Sequence, residues 1–140
     1  MTIEFSRLHI LVIDDDEFTR QLIRRLLRDI GVRSIIECDN GRDGLMEVVR
    51  SRPDMVLCDV HMTPMNGKQL LQGVRNIKVK GVDRTPVVFL TGVSDLATVK
   101  FARDHAVNGY LVKPVSLAKL REAIDTALAG EQPENWRQLD

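Results

Sequence analysis

The sequence predicts an α/β fold built on a parallel sheet that is covered on both faces. Two observations lead there. Five short apolar, β-branched runs recur along the chain, at 9–13, 34–37, 55–58, 87–90 and 110–112, and most lack the polar alternation of a half-solvated strand. Between them, apolar residues return at helical spacing. Strand and helix alternating five times, with crossovers of one hand, leave few arrangements. Ligands of such sheets gather at the carboxyl ends of the strands, so the residues after each run are where function is sought.

The elements follow in order. The first run ends in Asp14-Asp15-Asp16. Asp16, with Glu17, opens the first helix, where unpaired N–H groups and the helix dipole favour an anion. Phe18, Leu22, Ile23, Leu26, Leu27 and Ile30 give that helix an apolar face, and Gly31 stops it. Arg20, Arg24, Arg25 and Arg28 read as its solvated face. The second run leads through ECDNG into a helix marked by Leu45, Val48 and Val49. The third ends at Asp59. Asn66 can cap the next helix, whose apolar residues are Leu70, Leu71, Val74 and Ile77. The fourth run ends at Thr91-Gly92 and precedes a helix marked by Leu96, Val99 and Ala102. The fifth ends at Lys113-Pro114. Leu117, Leu120, Ile124 and Leu128 mark the last helix, ended by Gly130 and Pro133.

Composition sets outer limits. A chain of 140 residues is the length of one ordinary domain. Hydrophobic residues at 44% and charged residues at 29% allow a core and a soluble surface, and 4% aromatics make that core aliphatic. The formal net charge is +0, without the basic excess of a domain that binds DNA by itself. Cys38 and Cys58 are too far apart for a C-x-x-C motif and read as reduced and buried. No apolar run reaches the ~18–20 residues of a membrane helix. Charges break MTIEFSRLH before any signal-peptide core forms. A soluble, cytoplasmic protein is expected, with no membrane and no direct nucleic-acid partner.

Four strand ends therefore aim carboxylates (Asp14, Asp15, Asp59), a hydroxyl (Thr91) and an ammonium (Lys113) at one edge. Carboxylates with water suit Mg²⁺, an oxygen-seeking octahedral ion. His9, His61 and His105 have no zinc-ligand spacing. Three carboxylates are offset by one Mg²⁺ and one lysine. The same charges could neutralise most of a phosphoryl group carried on Asp59, and phosphoryl transfer depends mainly on positioning and charge compensation of this kind.

The segments VIDDD, CDVHMTPMNG, FLTG and GYLVKP, in this order and spacing, resemble the receiver domain of two-component response regulators, as in the chemotaxis response regulator. The resemblance covers residues 8–130, between a leader at 1–7 and a polar tail at 131–140 that holds Trp136. It implies a flavodoxin-like (βα)5 fold with sheet order 2-1-3-4-5. It also implies that Asp59 is the phosphoacceptor and that Asp14, Asp15, Asp59 and the backbone carbonyl of His61 bind Mg²⁺. Lys113 then binds the phosphoryl group, with Thr91 and Tyr110 as the switch pair. Pro114 follows a cis peptide, and Gly67 keeps its register at the site. The implied donor is a sensor histidine kinase or a histidine phosphotransfer protein. The implied output is a target protein bound through helix four, strand five and helix five, a surface some members use to form homodimers. With about ten residues after Gly130, too few for an output domain, a single-domain regulator is expected. It would be a signalling domain rather than an enzyme, catalysing only its own phosphorylation and dephosphorylation.

Two departures from the family pattern stand out. In Met62-Thr63-Pro64-Met65-Asn66-Gly67 the proline comes one position late and Asn66 replaces an acid. At the exit of helix four, His105-Ala106-Val107-Asn108 lacks the usual glycine, so the cap must differ or shift to Asn108-Gly109. Three alternatives remain beside the resemblance. A haloacid-dehalogenase-like Mg²⁺ phosphatase would use Asp14-x-Asp16 with Asp14 as nucleophile, but its late acidic pair is missing. A phosphorylation-independent interaction module could use the same fold. A flavin-binding domain lacks its phosphate-binding loop.

Overall fold

The computed structural model describes residues 3–92 and 96–130. Five parallel strands form one sheet in the order β2-β1-β3-β4-β5. They are β1 (His9–Ile13), β2 (Ser34–Cys38), β3 (Met55–Asp59), β4 (Val87–Thr91) and β5 (Gly109–Val112). Five helices alternate with them: α1 (Glu17–Ile30), α2 (Gly41–Ser51), α3 (Gly67–Asn76), α4 (Leu96–Asp104) and α5 (Leu117–Leu128). This is the flavodoxin-like fold. Each strand lies within a residue of its expected bounds. The register sets Ile13 beside Cys58, Asp59 beside Leu90 and Thr91 beside Val112. The ends of β1, β3, β4 and β5 therefore share one edge. The tail at 131–140, with Trp136, lies outside the described residues.

Strand side chains alternate between the two faces, and the core divides accordingly. Leu11, Ile13, Val56, Cys58 and Phe89 pack with Val48 of α2, Leu70, Leu71 and Val74 of α3, and Val99 and Ala102 of α4. Ile10, Val12, Leu57, Val88 and Leu90 pack with Ile23 and Leu27 of α1 and with Leu120 and Ile124 of α5. Phe5 of the expected leader packs against this second cluster, as does Leu8 just after it, so that segment is partly built into the fold.

Three expected helix-face residues are exposed. Phe18 is 74% exposed, and Val49 and Leu117 are also exposed. Phe18 and Leu117 stand in the first turns of their helices, at the rim of the sheet. Val49 follows the buried Val48 on α2 and has turned off the inner arc. Cys58 is buried and Cys38 only partly so, and both are free thiols. Burial pushes the Cys38 thiol up to about 11, with the Glu47 charge adding to it, which leaves it protonated and unreactive at neutral pH.

The caps follow sequence logic except where a residue other than glycine turns left-handed, at Arg52 after α2 (φ 47) and at Ala106 after α4. Asn40 caps α2, and Asn66 and Gln69 form a reciprocal capping box on α3. Gly31 ends α1 in the left-handed region at φ 119. At the exit of α4 it is Ala106 that turns left-handed, at φ 57. Val107 N–H donates to Ala102 O at 2.9 Å and Ala106 N–H to Arg103 O at 3.4 Å, the two bonds of a Schellman cap. The cap therefore does not move to Asn108-Gly109. A Cβ is unfavourable in this region. Ala106→Gly is expected to stabilise the protein by up to about 1 kcal/mol, measured by urea denaturation; a loss of stability would show that Ala106 sits there without strain.

Arg75, in the last turn of α3, binds this cap from outside. Its Nη1 donates to Asp83 O at 3.0 Å and Thr85 O at 2.7 Å. Its Nη2 donates to Ala106 O at 2.8 Å and Asn108 Oδ1 at 3.1 Å. Asn108 Oδ1 also accepts Val87 N–H at 2.9 Å, and Asn108 N–H donates to Val87 O at 2.7 Å. One guanidinium thus ties α3 to the segment before β4 and to the α4–β5 turn.

Candidate functional site

The carboxyl edge of the sheet brings four of the expected residues together. Asp14 follows the last residue of β1 and is fully buried; Asp59 ends β3 and is 4% exposed. Asp15 is exposed. One carboxylate oxygen from each of the three lies within 4.8 Å of the others. Lys113, just after β5, places Nζ 2.8 Å from Asp14 Oδ2 and 3.5 Å from Asp59 Oδ2. Its backbone N–H is anchored on Thr91 O at 2.7 Å.

The surrounding backbone fixes this group. Asp14 Oδ1 accepts Asp16 N–H at 2.9 Å, and Asp14 N–H donates to Cys38 O on β2 at 3.1 Å. Asp59 Oδ1 accepts His61 N–H at 3.2 Å. The His61 side chain is exposed. Gly67, the first residue of α3, sits directly on the site: its N–H donates to Val60 O at 3.0 Å. A Cβ there would lie 2.6 Å from Asp59 O and 2.8 Å from Val60 Cα. Only glycine allows α3 to start this close to Asp59.

Burial, first, and the Asp14 charge, second, raise Asp59 above the ordinary carboxylate range, while Lys113 opposes them. Burial alone would lower Lys113, but its hydrogen bond to Asp14 and the charges of Asp59 and Asp14 outweigh it and hold the ammonium above its usual value. The edge thus holds a close carboxylate pair bridged by one cation.

The donor set fits Mg²⁺. Three carboxylate oxygens within 4.8 Å of one another supply the hard oxygen ligands this ion prefers. The exposed side of Asp15 leaves room for water ligands.

Thr91 is 1% exposed at the end of β4, next to the Leu90 that pairs with Asp59. Tyr110 is half-buried and packs on the α2–α3–α4 side of the sheet. It enters β5 beside Phe89, three residues before Lys113. Pro114 follows a cis peptide, as expected, and Thr63–Pro64 is also cis. That second cis bond is the path taken by the late proline, and Met65 and Gly67 keep their places after it.

Asp16 stands apart from the other two aspartates. Its Oδ1 accepts Phe18 N–H at 3.3 Å and its Oδ2 accepts the Thr19 hydroxyl at 2.7 Å. The Thr19 hydrogen bond, above all, lowers its pKa. Asp16→Ala is expected to lower the melting temperature while metal affinity and adduct formation stay as in the parent. A large loss of Mg²⁺ affinity in titration would place Asp16 among the ligands instead.

One contributor was not legible as such. Arg20, placed by the sequence on a solvated face, donates from Nη1 to Asp14 O at 2.7 Å. Its Nε lies 3.5 Å from Glu37, which Arg24 also meets at 2.8 Å. Arg20 therefore braces the turn that carries Asp14. The i to i+6 relation to Asp14 was the one available signal, and its partner there is a backbone carbonyl.

A doubly wound parallel sheet with an acidic cluster and a lysine at its carboxyl edge defines a receiver-type domain. Residues 10–125 match the family model of the response regulator receiver domain, and the chain belongs to that family. It is 32% identical to chemotaxis protein CheY-3 of Vibrio cholerae over 120 residues, covering 86% of this chain and 91% of that one. It is 31% identical to the transcriptional regulatory protein GlrR of Escherichia coli, covering 93% of this chain but 29% of that protein. Among solved structures, a putative response regulator from Chloroflexus aurantiacus superposes with a TM-score of 0.79 at 26% identity, covering 88% of this chain and 99% of that one. Vibrio cholerae CheY4 does so at 0.77 and 25% identity, covering 86% and 98%. Among the described residues, no helix is long and apolar enough to cross a membrane.

Proposed function

We propose that residues 8–130 form a phosphoacceptor domain that takes a phosphoryl group onto Asp59 from a phosphohistidine of a sensor kinase or phosphotransfer protein, in a Mg²⁺-dependent reaction. The observation that carries this reading is the pairing of the partly withdrawn Asp59 carboxylate with Lys113 and a second buried acid, Asp14. Asp14 is the weaker nucleophile candidate, because it is fully buried and its oxygens are held at 2.9 and 2.8 Å by Asp16 N–H and Lys113, against 3.2 and 3.5 Å for those of Asp59 with His61 N–H and Lys113. This favours Asp59 over the Asp14 nucleophile of the phosphatase reading.

The step requires an ionised Asp59. A carboxylate oxygen attacks phosphorus; the P–O bond forms, the P–N bond breaks and the imidazole leaves with the electron pair. No proton need be taken from the nucleophile. His61 N–H orients one Asp59 oxygen, and Lys113 neutralises charge as it gathers on the transferred group. Asp14, Asp15, Asp59 and the His61 carbonyl are the groups that would hold Mg²⁺, whose chemistry is to neutralise the phosphoryl oxygens. Once phosphorylated, Asp59 gains charge and acceptors within reach of the β4 end. Thr91 and Tyr110 are the residues through which the change passes to α4, β5 and α5, the surface proposed for a target protein or a second copy.

The test is mass spectrometry after incubation with a small acyl phosphate and Mg²⁺. One adduct of a single phosphoryl group, absent without Mg²⁺ and absent in Asp59→Asn, is expected. Turnover that survives in Asp59→Asn and is lost in Asp14→Asn would establish the phosphatase; no adduct under any condition would leave an interaction module.

A further inference from the structure

We infer that Arg75 is a positioning residue for the phosphorylation response, holding the C-terminal end of α4 to α3 so that α4 can respond only by pivoting about that end. The inference rests on the phosphoacceptor reading of Asp59 and adds a residue outside the site.

The geometry begins at the site. α3 starts at Gly67, packed against the Asp59 and Val60 backbone, and its capping box fixes that first turn. Leu70, Leu71 and Val74 are buried along its inner face. The helix is thus seated from the phosphoacceptor to Arg75. In a parallel α/β fold the helices run back against the strands, so Arg75 lies at the edge opposite Asp59. There its guanidinium holds Ala106 O, Asn108 Oδ1, Asp83 O and Thr85 O. Asn108 is in turn paired with both backbone groups of Val87 on β4.

α4 runs in the same direction as α3. Its N-terminal end follows β4 and Thr91, on the site edge, and its C-terminal end is the clasped one. A rearrangement at Thr91 enters α4 at its N-terminal end. The clasp holds the other end through one bond to the Ala106 carbonyl and one to Asn108 Oδ1, which is itself tied to Val87 N–H. Left-handed Ala106 is the joint between the clasp and the helix. Bistable packed elements, rather than smooth deformation, carry such changes, and the clasp determines which end of α4 moves.

The experiment is residue-resolved hydrogen exchange on the full chain, with and without acyl phosphate and Mg²⁺, for the parent and Arg75→Met. In unloaded protein, the variant is expected to speed exchange at His105, Ala106 and Val107 by roughly tenfold or more, beyond any change at β1 and β3 amides. In the loaded parent, exchange should change at 97–100 and stay constant at 105–107. In the loaded variant, the change should extend to 105–107. Uniform acceleration over the sheet and α4 would reduce Arg75 to a structural role and overturn the inference. So would a loaded parent in which both ends of α4 respond alike. If Arg75→Met does not fold, Arg75→Lys should show the same selective loosening at smaller amplitude. The adduct is monitored by mass in the same samples. Its absence would refute the phosphoacceptor reading, and the unloaded comparison then decides the clasp by itself.

Discussion

Asp59→Asn is expected to take up no phosphoryl group and to melt at a higher temperature than the parent in metal-free buffer. The first effect follows from loss of the nucleophile. The second follows from electrostatics. Asp59 is raised above its ordinary 3.8 by burial first and by the Asp14 charge next, with Lys113 opposing. An acid whose pKa is raised by folding keeps its proton more firmly in the folded chain. Stability therefore falls as pH rises from about 3.8 through the folded value, and above that value the full cost of the charge is present. Asparagine carries no such dependence. The melting temperatures of the two proteins should converge at the acidic end and separate as pH rises. Mg²⁺ should then raise the parent more than the variant, because a ligand stabilises the state that binds it. Thermal melts across pH, with and without Mg²⁺, measure this directly. Equal melting temperatures throughout would mean that Asp59 is not strained by its neighbours.

Gly67→Ala is expected to destabilise the protein by about 2–3 kcal/mol, as overpacking does, and to slow phosphorylation of the folded fraction strongly. The added methyl would meet backbone atoms of Asp59 and Val60 at 2.6 and 2.8 Å. Neither can rotate away, so α3 must retreat or the Asp59 turn must shift. Gly73 in the same helix is the control. Its Cβ would meet Leu45 Cδ2 at 3.0 Å, the far end of a flexible side chain, while alanine gains helix propensity. Urea titrations in which Gly67→Ala is no less stable than Gly73→Ala would contradict this account of the α3 start.

The sheet and its functional edge were legible because both depend on order along the chain. A residue that follows a buried parallel strand must emerge at the carboxyl edge, whatever packs around it, and Asp14, Asp59, Thr91 and Lys113 did so. The sheet order came from family resemblance, since β-α alternation does not by itself rank the strands. Phe18, Val49 and Leu117 were misplaced because helical spacing reports an apolar arc, not how far a neighbour covers it. Ala106 was open because the left-handed cap usually selects glycine, and here the surrounding bonds impose it on alanine. Arg75 gave no signal because its acceptors lie 8, 10, 31 and 33 residues away, and three of them are main-chain oxygens that any residue type supplies.

The sheet also separates two apolar interiors that, among the described residues, have no buried residue in common. Residues that alternate along a single strand belong to different interiors. The layer beneath α1 and α5 can therefore be rebuilt by substitution without disturbing the layer beneath α2, α3 and α4, and the reverse holds equally. Because the acidic edge is made of strand ends rather than of either layer, each flank can diverge at its own rate while that edge stays fixed.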